Sequence, residues 1–167
     1  HTTSEKQSES LADYVGRMKE GQDKIFFITA ANYGTASNSP HLEVFKKNGI
    51  EVLLLTDDVD EIAFMHLMEF DGHALQAITK GDLDLGDLIE KNDDQAVDDA
   101  VHDAFIERVK ASLGDTVKDV RITHRLTDSP ACLVADDHEM SAHLERLMRS
   151  AGQAVPGQTP IMELNPD

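Results

Sequence analysis

Lys24-Ile25-Phe26-Phe27-Ile28-Thr29-Ala30 is a short, continuous apolar run, which is typical of a β-strand covered on both faces. A second run of this kind, Ile50-Glu51-Val52-Leu53-Leu54-Leu55, lies between two predicted helices over residues 41–47 and 61–70. A weaker third strand is predicted over residues 73–78. Short buried strands that alternate with helices pair in parallel through right-handed crossovers. The sequence therefore predicts the α/β class, with a small three-layer unit around a short parallel sheet.

The pattern of the whole chain divides it into two modules. Residues 1–10 are polar and expected to fray. Residues 11–94 are predicted to form the small α/β unit, which ends in an acidic linker over residues 81–94. Residues 95–167 are predicted to begin with a long amphipathic helix and to continue as an α+β module. The remaining expected elements are helices over 11–18, 95–113 and 139–149, and strands over 117–123, 131–134 and 160–164.

The chain of 167 residues carries a formal net charge of −17. Because recognition of nucleic acid depends on clustered Lys and Arg, this charge argues against a nucleic-acid partner. The acidic residues are concentrated between Asp57 and Asp103, a segment that contains fifteen Asp and Glu but only two Lys. Such a segment forms a solvated, self-repelling surface, or it recruits a basic partner.

The location of the protein is predicted from two further features of the sequence. No stretch approaches the roughly 18 consecutive apolar residues that a membrane-spanning helix needs, so no membrane association is expected. The single cysteine, Cys132, has no partner for an internal disulfide, which favours a reducing, cytoplasmic compartment. Its apolar surroundings, residues 130–134, predict a buried thiol rather than a reactive one. The chain lacks an initiator Met, and both ends are expected to be internal to a longer chain.

The candidate catalytic residues do not form a complete motif. Residues 31–37, after the first predicted strand, contain one glycine and no lysine, so neither phosphate-binding fingerprint is present. His138 and His143 are five residues apart and would diverge around a helix instead of sharing a metal. His124, Arg125 and Asp128 could form an acid–base site or a structural corner in which Arg125 pairs with Asp128. Because no nucleophile accompanies them, the structural corner is favoured, and no catalytic, cofactor or metal site is predicted.

The most informative pattern is an apolar stripe on the last predicted helix, formed by Met140, Leu144, Leu147 and Met148. Residues at this spacing share one helix face, which is usually packed against a core. Methionine side chains also suit surfaces that accept varied partners, because the thioether is flexible. Met65 and Met68 fit the same description.

Several segments resemble the heat shock protein 90 chaperone family, in its bacterial, high-temperature protein G branch. Two of them are Gly49-Ile50-Glu51-Val52-Leu53-Leu54-Leu55 and Glu163-Leu164-Asn165-Pro166. Further matches cover residues 14–22, 39–43, 69–72, 117–121 and 123–128. They follow one another in the order of the family and extend over nearly the whole chain.

The resemblance implies an interior part of an ATP-dependent, homodimeric chaperone. Residues 11–94 would close the middle domain, and residues 95–167 would open the C-terminal domain. The ATPase residues would lie upstream, so the segment itself is expected to be no enzyme and to hold no cofactor, whereas the full-length protein uses ATP and magnesium. The helices that join the dimer would lie downstream.

The resemblance also implies a surface that binds non-native client proteins. By position, this surface would consist of Glu61, Ile62, Met65, Met140, Leu144, Leu147 and Met148. The stripe on the last helix is accordingly expected to be exposed. Ile62 stands where bacterial relatives often have Trp, which removes a large aromatic anchor from this surface. The alternative is a structural relay that transmits ATP-driven motion to the dimer without touching clients.

Overall fold

The computed structural model describes residues 9–81, 83, 85, 88–89, 102–136, 139–155 and 157–166. The first module contains, in chain order, α1 (Leu11–Val15), β1 (Lys24–Thr29), α2 (Tyr33–Ser37), a 3-10 helix (Pro40–Leu42), α3 (Glu43–Lys47), β2 (Leu53–Leu55), α4 (Asp58–His66), β3 (Glu69–Phe70) and β4 (His73–Ala77). Its sheet has the order β2-β1-β4-β3, in which β1 pairs in parallel with both β2 and β4. The predicted α/β class and the parallel pairing of the three predicted strands are confirmed.

The central strand β1 is covered on both faces, as its continuous apolar sequence predicts. Phe26 and Ile28 belong to one buried cluster, in which the Phe26 ring meets the edge of Phe45 at a centroid distance of 5.0 Å. Ile25 belongs to a second cluster, together with the half-buried Phe27. Because alternate side chains of a strand point to opposite faces, these two clusters define the three-layer arrangement.

The segment after α4 differs from the prediction. A single helix over residues 61–70 was expected, but α4 begins at Asp58 and ends at His66, and β3 follows it. β3 pairs antiparallel with β4 through a tight turn in which Asp71 has φ 52° and Gly72 has φ 79°. Two consecutive residues with positive φ are characteristic of the hairpin turn that Asp-Gly favours. The turn chemistry therefore overrides the helical spacing of the apolar residues.

The second module contains α5 (Asp103–Leu113), a 3-10 helix (Gly114–Thr116), β5 (Asp119–Ile122), β6 (Ala131–Val134), α6 (Ala142–Ser150) and β7 (Ile161–Leu164). Its sheet has the order β5-β7-β6, with β5 and β7 parallel and β6 and β7 antiparallel. The expected α+β character is confirmed by this mixed sheet. The linker over 81–94 lies mostly outside the described residues, as do residues 95–101 of the predicted long helix. The division between residues 94 and 95 therefore stays a prediction.

The two sheets are joined by backbone hydrogen bonds beyond the end of β4. Gly81 N donates to Ala135 O over 2.9 Å, and Ala135 N donates to Thr79 O over 3.0 Å. This isolated parallel bridge, between Lys80 and Ala135, fixes the end of β6 beside the end of β4. The sequence alone does not predict this contact, because it depends on side-chain packing between the modules.

Candidate functional site

Helix α4 is anchored at its start and along its inner face. The backbone N–H of Asp57 donates to the carboxylate of Asp60 over 3.2 Å, which closes the first turn of the helix. On the inner face, the ring of Phe64 packs against Phe27 of β1 at a centroid distance of 5.0 Å. These contacts fix the orientation of the helix and therefore determine which side chains face outward.

The outer face of α4 exposes large apolar side chains. Val59 is 66% exposed, Ile62 51%, Met65 52%, and Met68, just beyond the helix, 74%. Val59, Ile62 and Met65 follow one another at three-residue steps, so they lie along one side of the helix. We call these four residues the α4 patch. Ile62 and Met65 were predicted on the family resemblance, whereas Val59 was not predicted, although its three-residue spacing from Ile62 is visible in the sequence.

Glu61, predicted to lie on the same surface, is buried instead. Its Oε1 accepts a hydrogen bond of 2.6 Å from the hydroxyl of Ser141, the residue that caps α6. The same hydroxyl accepts from the backbone N–H of Leu144 over 3.0 Å. The expectation that Glu61 is a surface residue is therefore wrong, because its carboxylate attaches α4 to the start of α6.

The stripe on α6 is only partly accessible. Leu144 is buried, whereas Met140, Leu147 and Met148 are half-buried. The expectation of a fully exposed stripe is wrong for Leu144, because this residue lies in the first turn of the helix, where the Glu61–Ser141 contact holds it against the rest of the protein. Asp137, which precedes this helix and was expected to cap it, lies outside the described residues, as does His138. That these residues contact clients stays a prediction.

The corner formed by His124, Arg125 and Asp128 is structural. Arg125 is buried and its Nε lies 2.8 Å from Oε2 of Glu163, so the expected pair between Arg125 and Asp128 is wrong. Asp128 instead donates its backbone N–H to Oε2 of Glu43 over 2.9 Å. The arrangement holds two segments together.

Glu43 links α3 to the loop that follows β5. Its carboxylate accepts hydrogen bonds from the backbone N–H groups of Thr127 at 2.6 Å and of Ser129 at 3.2 Å, and from the hydroxyl of Ser129. Partial burial raises the pKa of Glu43, but these hydrogen bonds outweigh it and lower the pKa to about 2. Glu43 is therefore ionised at every physiological pH, and its charge stabilises the contact between the modules.

Glu163 forms the centre of the junction between the modules. Its buried carboxylate accepts from Arg125 and from Arg121, whose Nη2 lies 2.7 Å from Oε1. Arg125 also donates to the carbonyl oxygens of Ile78 over 3.3 Å and Gly81 over 3.1 Å, in the first module. Two cations, one buried carboxylate and two backbone carbonyls thus join β5 and β7 to the end of β4.

A cleft with a volume of about 280 Å³ lies between the modules, beside this junction. Its walls come from the end of β1, from β6 and from the start of α6. His41, in its wall, is buried, and burial together with the charge of Arg125 lowers the pKa of its ring to about 4. Cys132 is also buried, as predicted, and burial together with the charge of Glu163 raises the pKa of its thiol to about 12.

Neither a metal centre nor a membrane span is found in the part of the chain that the structure describes. No three His, Cys, Asp or Glu side chains lie together in a metal-binding arrangement there. The helices of the described segments are also too short and too polar to cross a membrane. The strongest remaining feature is the α4 patch, a set of exposed apolar side chains on a firmly anchored helix.

The comparisons with known proteins define the class as a molecular chaperone. All 167 residues match the family described as "Hsp90 protein", and the chain belongs to this family. Similar relatives are the "Chaperone protein HtpG" of Dechloromonas aromatica, 56% identical over 99% of the chain, and that of Nitrosococcus oceani, 57% identical over 99%. The relative from Chromobacterium violaceum is 58% identical over 95% of the chain. The chain spans about a quarter of the length of these relatives, 25–26%.

Proposed function

We propose that this chain contributes the client-binding surface of an ATP-dependent chaperone, and that the α4 patch is the centre of that surface. The observation that carries the proposal is the exposure of more than half of each patch side chain on an anchored helix. A soluble protein rarely leaves neighbouring large apolar groups in water without a binding role. The flexible thioethers of Met65 and Met68 suit clients of varied shape.

The half-buried residues of α6 extend this surface in the proposal. Met140, Leu147 and Met148 retain accessible area, and the Glu61–Ser141 hydrogen bond fixes their helix against α4. Glu61 and Leu144 act as positioning residues, since both are buried. ATP and magnesium would be bound, and the homodimer formed, by parts of the longer protein. The similarity to HtpG chaperones supports a chaperone function and does not extend to these steps.

The proposal is tested by replacing Ile62 and Met65 together with Ser. Each side chain is about half exposed, so covering it with a client contributes about 1 kcal/mol. Losing both lowers the affinity for a fluorescently labelled, destabilised protein by roughly tenfold to thirtyfold. Because both residues are exposed, the urea unfolding midpoint of the variant is expected to stay close to that of the parent chain.

Phe105→Ser is the matched control, because Phe105 is a large apolar residue of α5 that is 44% exposed and lies outside the α4 patch. It should leave client affinity unchanged. Equal losses of affinity in the control and in the double Ser variant would contradict a specific role of the α4 patch and indicate general apolar adhesion.

A second candidate function is a structural relay that transmits motion between the modules without contacting clients. The Glu163 junction favours it, because buried charges and backbone carbonyls of both modules meet there. A relay predicts that the parent chain and the double Ser variant bind the labelled protein equally weakly. The same binding measurement therefore distinguishes the two functions.

A further inference from the structure

The sulfur-containing side chains of the protein, six methionines and Cys132, differ in their access to solvent. Met65 is 52% exposed and Met68 is 74% exposed, whereas the other four methionines are half-buried. Both exposed thioethers belong to the α4 patch. Because an oxidant in the surrounding water reacts with the side chains that it can reach, it meets these two methionines first.

Cys132 does not compete for such an oxidant. Peroxides react with the thiolate form of cysteine, not with the protonated thiol. Burial, together with the charge of Glu163, raises the pKa of the Cys132 thiol to about 12. At neutral pH the thiol is therefore both protonated and shielded from solvent, which leaves the exposed thioethers as the reactive groups.

Two of the half-buried methionines have structural positions. Met18 packs against the buried cluster that contains Tyr14, and Met162 packs against the cluster that contains Val120. A methionine sulfoxide is polar, so its formation in either place opposes burial. Met65 and Met68 already meet water, and their oxidation changes the surface of the protein without disturbing its core.

From this distribution we propose that Met65 and Met68 form an oxidation-sensitive site, at which a peroxide converts the α4 patch from an apolar surface into a polar one. The inference rests on the proposed client-binding function and adds a means of regulating it. Hydrogen peroxide transfers one oxygen atom to the thioether sulfur: the O–O bond breaks, an S–O bond forms, the sulfur gives up two electrons, and water leaves. The sulfoxide product is polar and can be reduced again. It binds apolar clients less tightly, because less apolar area is covered.

The experiment treats the full chain with hydrogen peroxide, removes the excess with catalase, and then measures binding of the fluorescently labelled, destabilised protein. Peptide mass mapping should show an added oxygen atom at Met65 and Met68 before any other methionine. The affinity is then expected to be roughly threefold to tenfold lower. Dithiothreitol with two methionine sulfoxide reductases, one for each sulfoxide epimer, should restore it. The urea unfolding midpoint should stay the same throughout.

Met65→Leu with Met68→Leu removes both oxidisable groups and nearly conserves their volume. The affinity of this variant is expected to be equal before and after peroxide treatment. The matched control, Met18→Leu with Met162→Leu, also loses two thioethers but keeps the exposed pair. Its affinity should therefore fall on treatment as that of the parent chain does.

Two results would overturn the inference directly: oxidation of Met140 or Met148 as fast as Met65 and Met68, or a loss of affinity that persists in the variant with Leu at both exposed positions. Oxidation of Met65 and Met68 without a change in affinity would also overturn it. The proposed function stands in that case if Ser at Ile62 and Met65 still weakens binding. If the Ser variant binds as the parent chain does, the proposed function itself fails.

Discussion

Replacing Glu163 by Gln removes a buried negative charge that contacts both Arg125 and Arg121. Glu163 has 2% of its side chain exposed and Arg125 has 7%, so this pair is shielded from water. Arg121 is about one-third exposed and can recover hydration when the carboxylate is lost. The two arginines therefore contribute unequally to the cost of the substitution.

The magnitude follows from that difference. Removing one partner of a buried ion pair costs about 3–5 kcal/mol, because the remaining charge loses its opposite charge in a site shielded from water. The partly exposed Arg121 adds at most about 1 kcal/mol. Gln retains a hydrogen-bond acceptor, so we expect the lower end, about 3 kcal/mol. With a urea dependence of about 2 kcal/mol per molar, the unfolding midpoint should fall by roughly 1.5 M.

Glu107→Gln on the exposed face of α5 is the control and should move the midpoint little. Adding Arg125→Met to Glu163→Gln removes the buried cation, so the two substitutions should cost about 2 kcal/mol less together than the sum of each alone. A midpoint shift of Glu163→Gln below roughly 0.5 M, or strict additivity in the double variant, would refute the buried junction as a source of stability.

The remaining predictions concern the second link between the modules and the hairpin. Glu43 has its pKa lowered from 4.5 to about 2, so its stabilisation is complete above pH 4.5 and is lost as the pH falls towards 2. Glu43→Gln should therefore destabilise the chain by about 2 kcal/mol at neutral pH, after allowance for partial exposure, and flatten its acid unfolding curve measured by circular dichroism. Gly72→Ala should cost about 1 kcal/mol in urea unfolding, because φ is 79° there. A Cβ at this position would meet nothing within 4 Å, so an unchanged midpoint would contradict the backbone explanation.

The fold was predictable where one local signal dominates. The apolar run in β1 has buried side chains on both faces, and Ser10 and Asp13 reciprocally cap the first turn of α1, with Asp13 N donating to Ser10 Oγ over 3.1 Å.

The predictions failed where two signals compete. Asp71-Gly72 favours a hairpin turn and ends the helical pattern at His66, although the apolar spacing continues to Met68. Helix α2 (Tyr33–Ser37) was not predicted, because its sequence has almost no apolar periodicity. Its start is capped by Asn32, whose Oδ1 accepts a hydrogen bond from the Thr35 N–H over 2.8 Å.

The candidate site was less predictable, because long-range contacts determine which of its residues are buried and which are exposed. Glu61 and Ile62 are neighbours in sequence, but one is buried against Ser141 and the other is half exposed. The partner of Arg125 is Glu163, 38 positions later in sequence, and not the nearby Asp128. A local pattern identifies a helix face that is apolar, but only the tertiary contacts determine whether that face meets the core or the solvent.

An exposed apolar patch remains available for binding only if the protein cannot bury it and does not associate through it. On the inner face of α4, the Phe64 ring packs against Phe27 and the Glu61 carboxylate accepts a hydrogen bond from Ser141. Rotation of the helix to hide Ile62 would break both contacts. Association of two copies through the patch would bring Asp58 of both copies close together. Repulsion between these carboxylates, added to a net charge of −17 on each chain, opposes self-association and leaves the patch open. The acidic charge of the chain and the anchored inner face of α4 therefore act together, because one opposes association through the patch and the other prevents its burial within the protein.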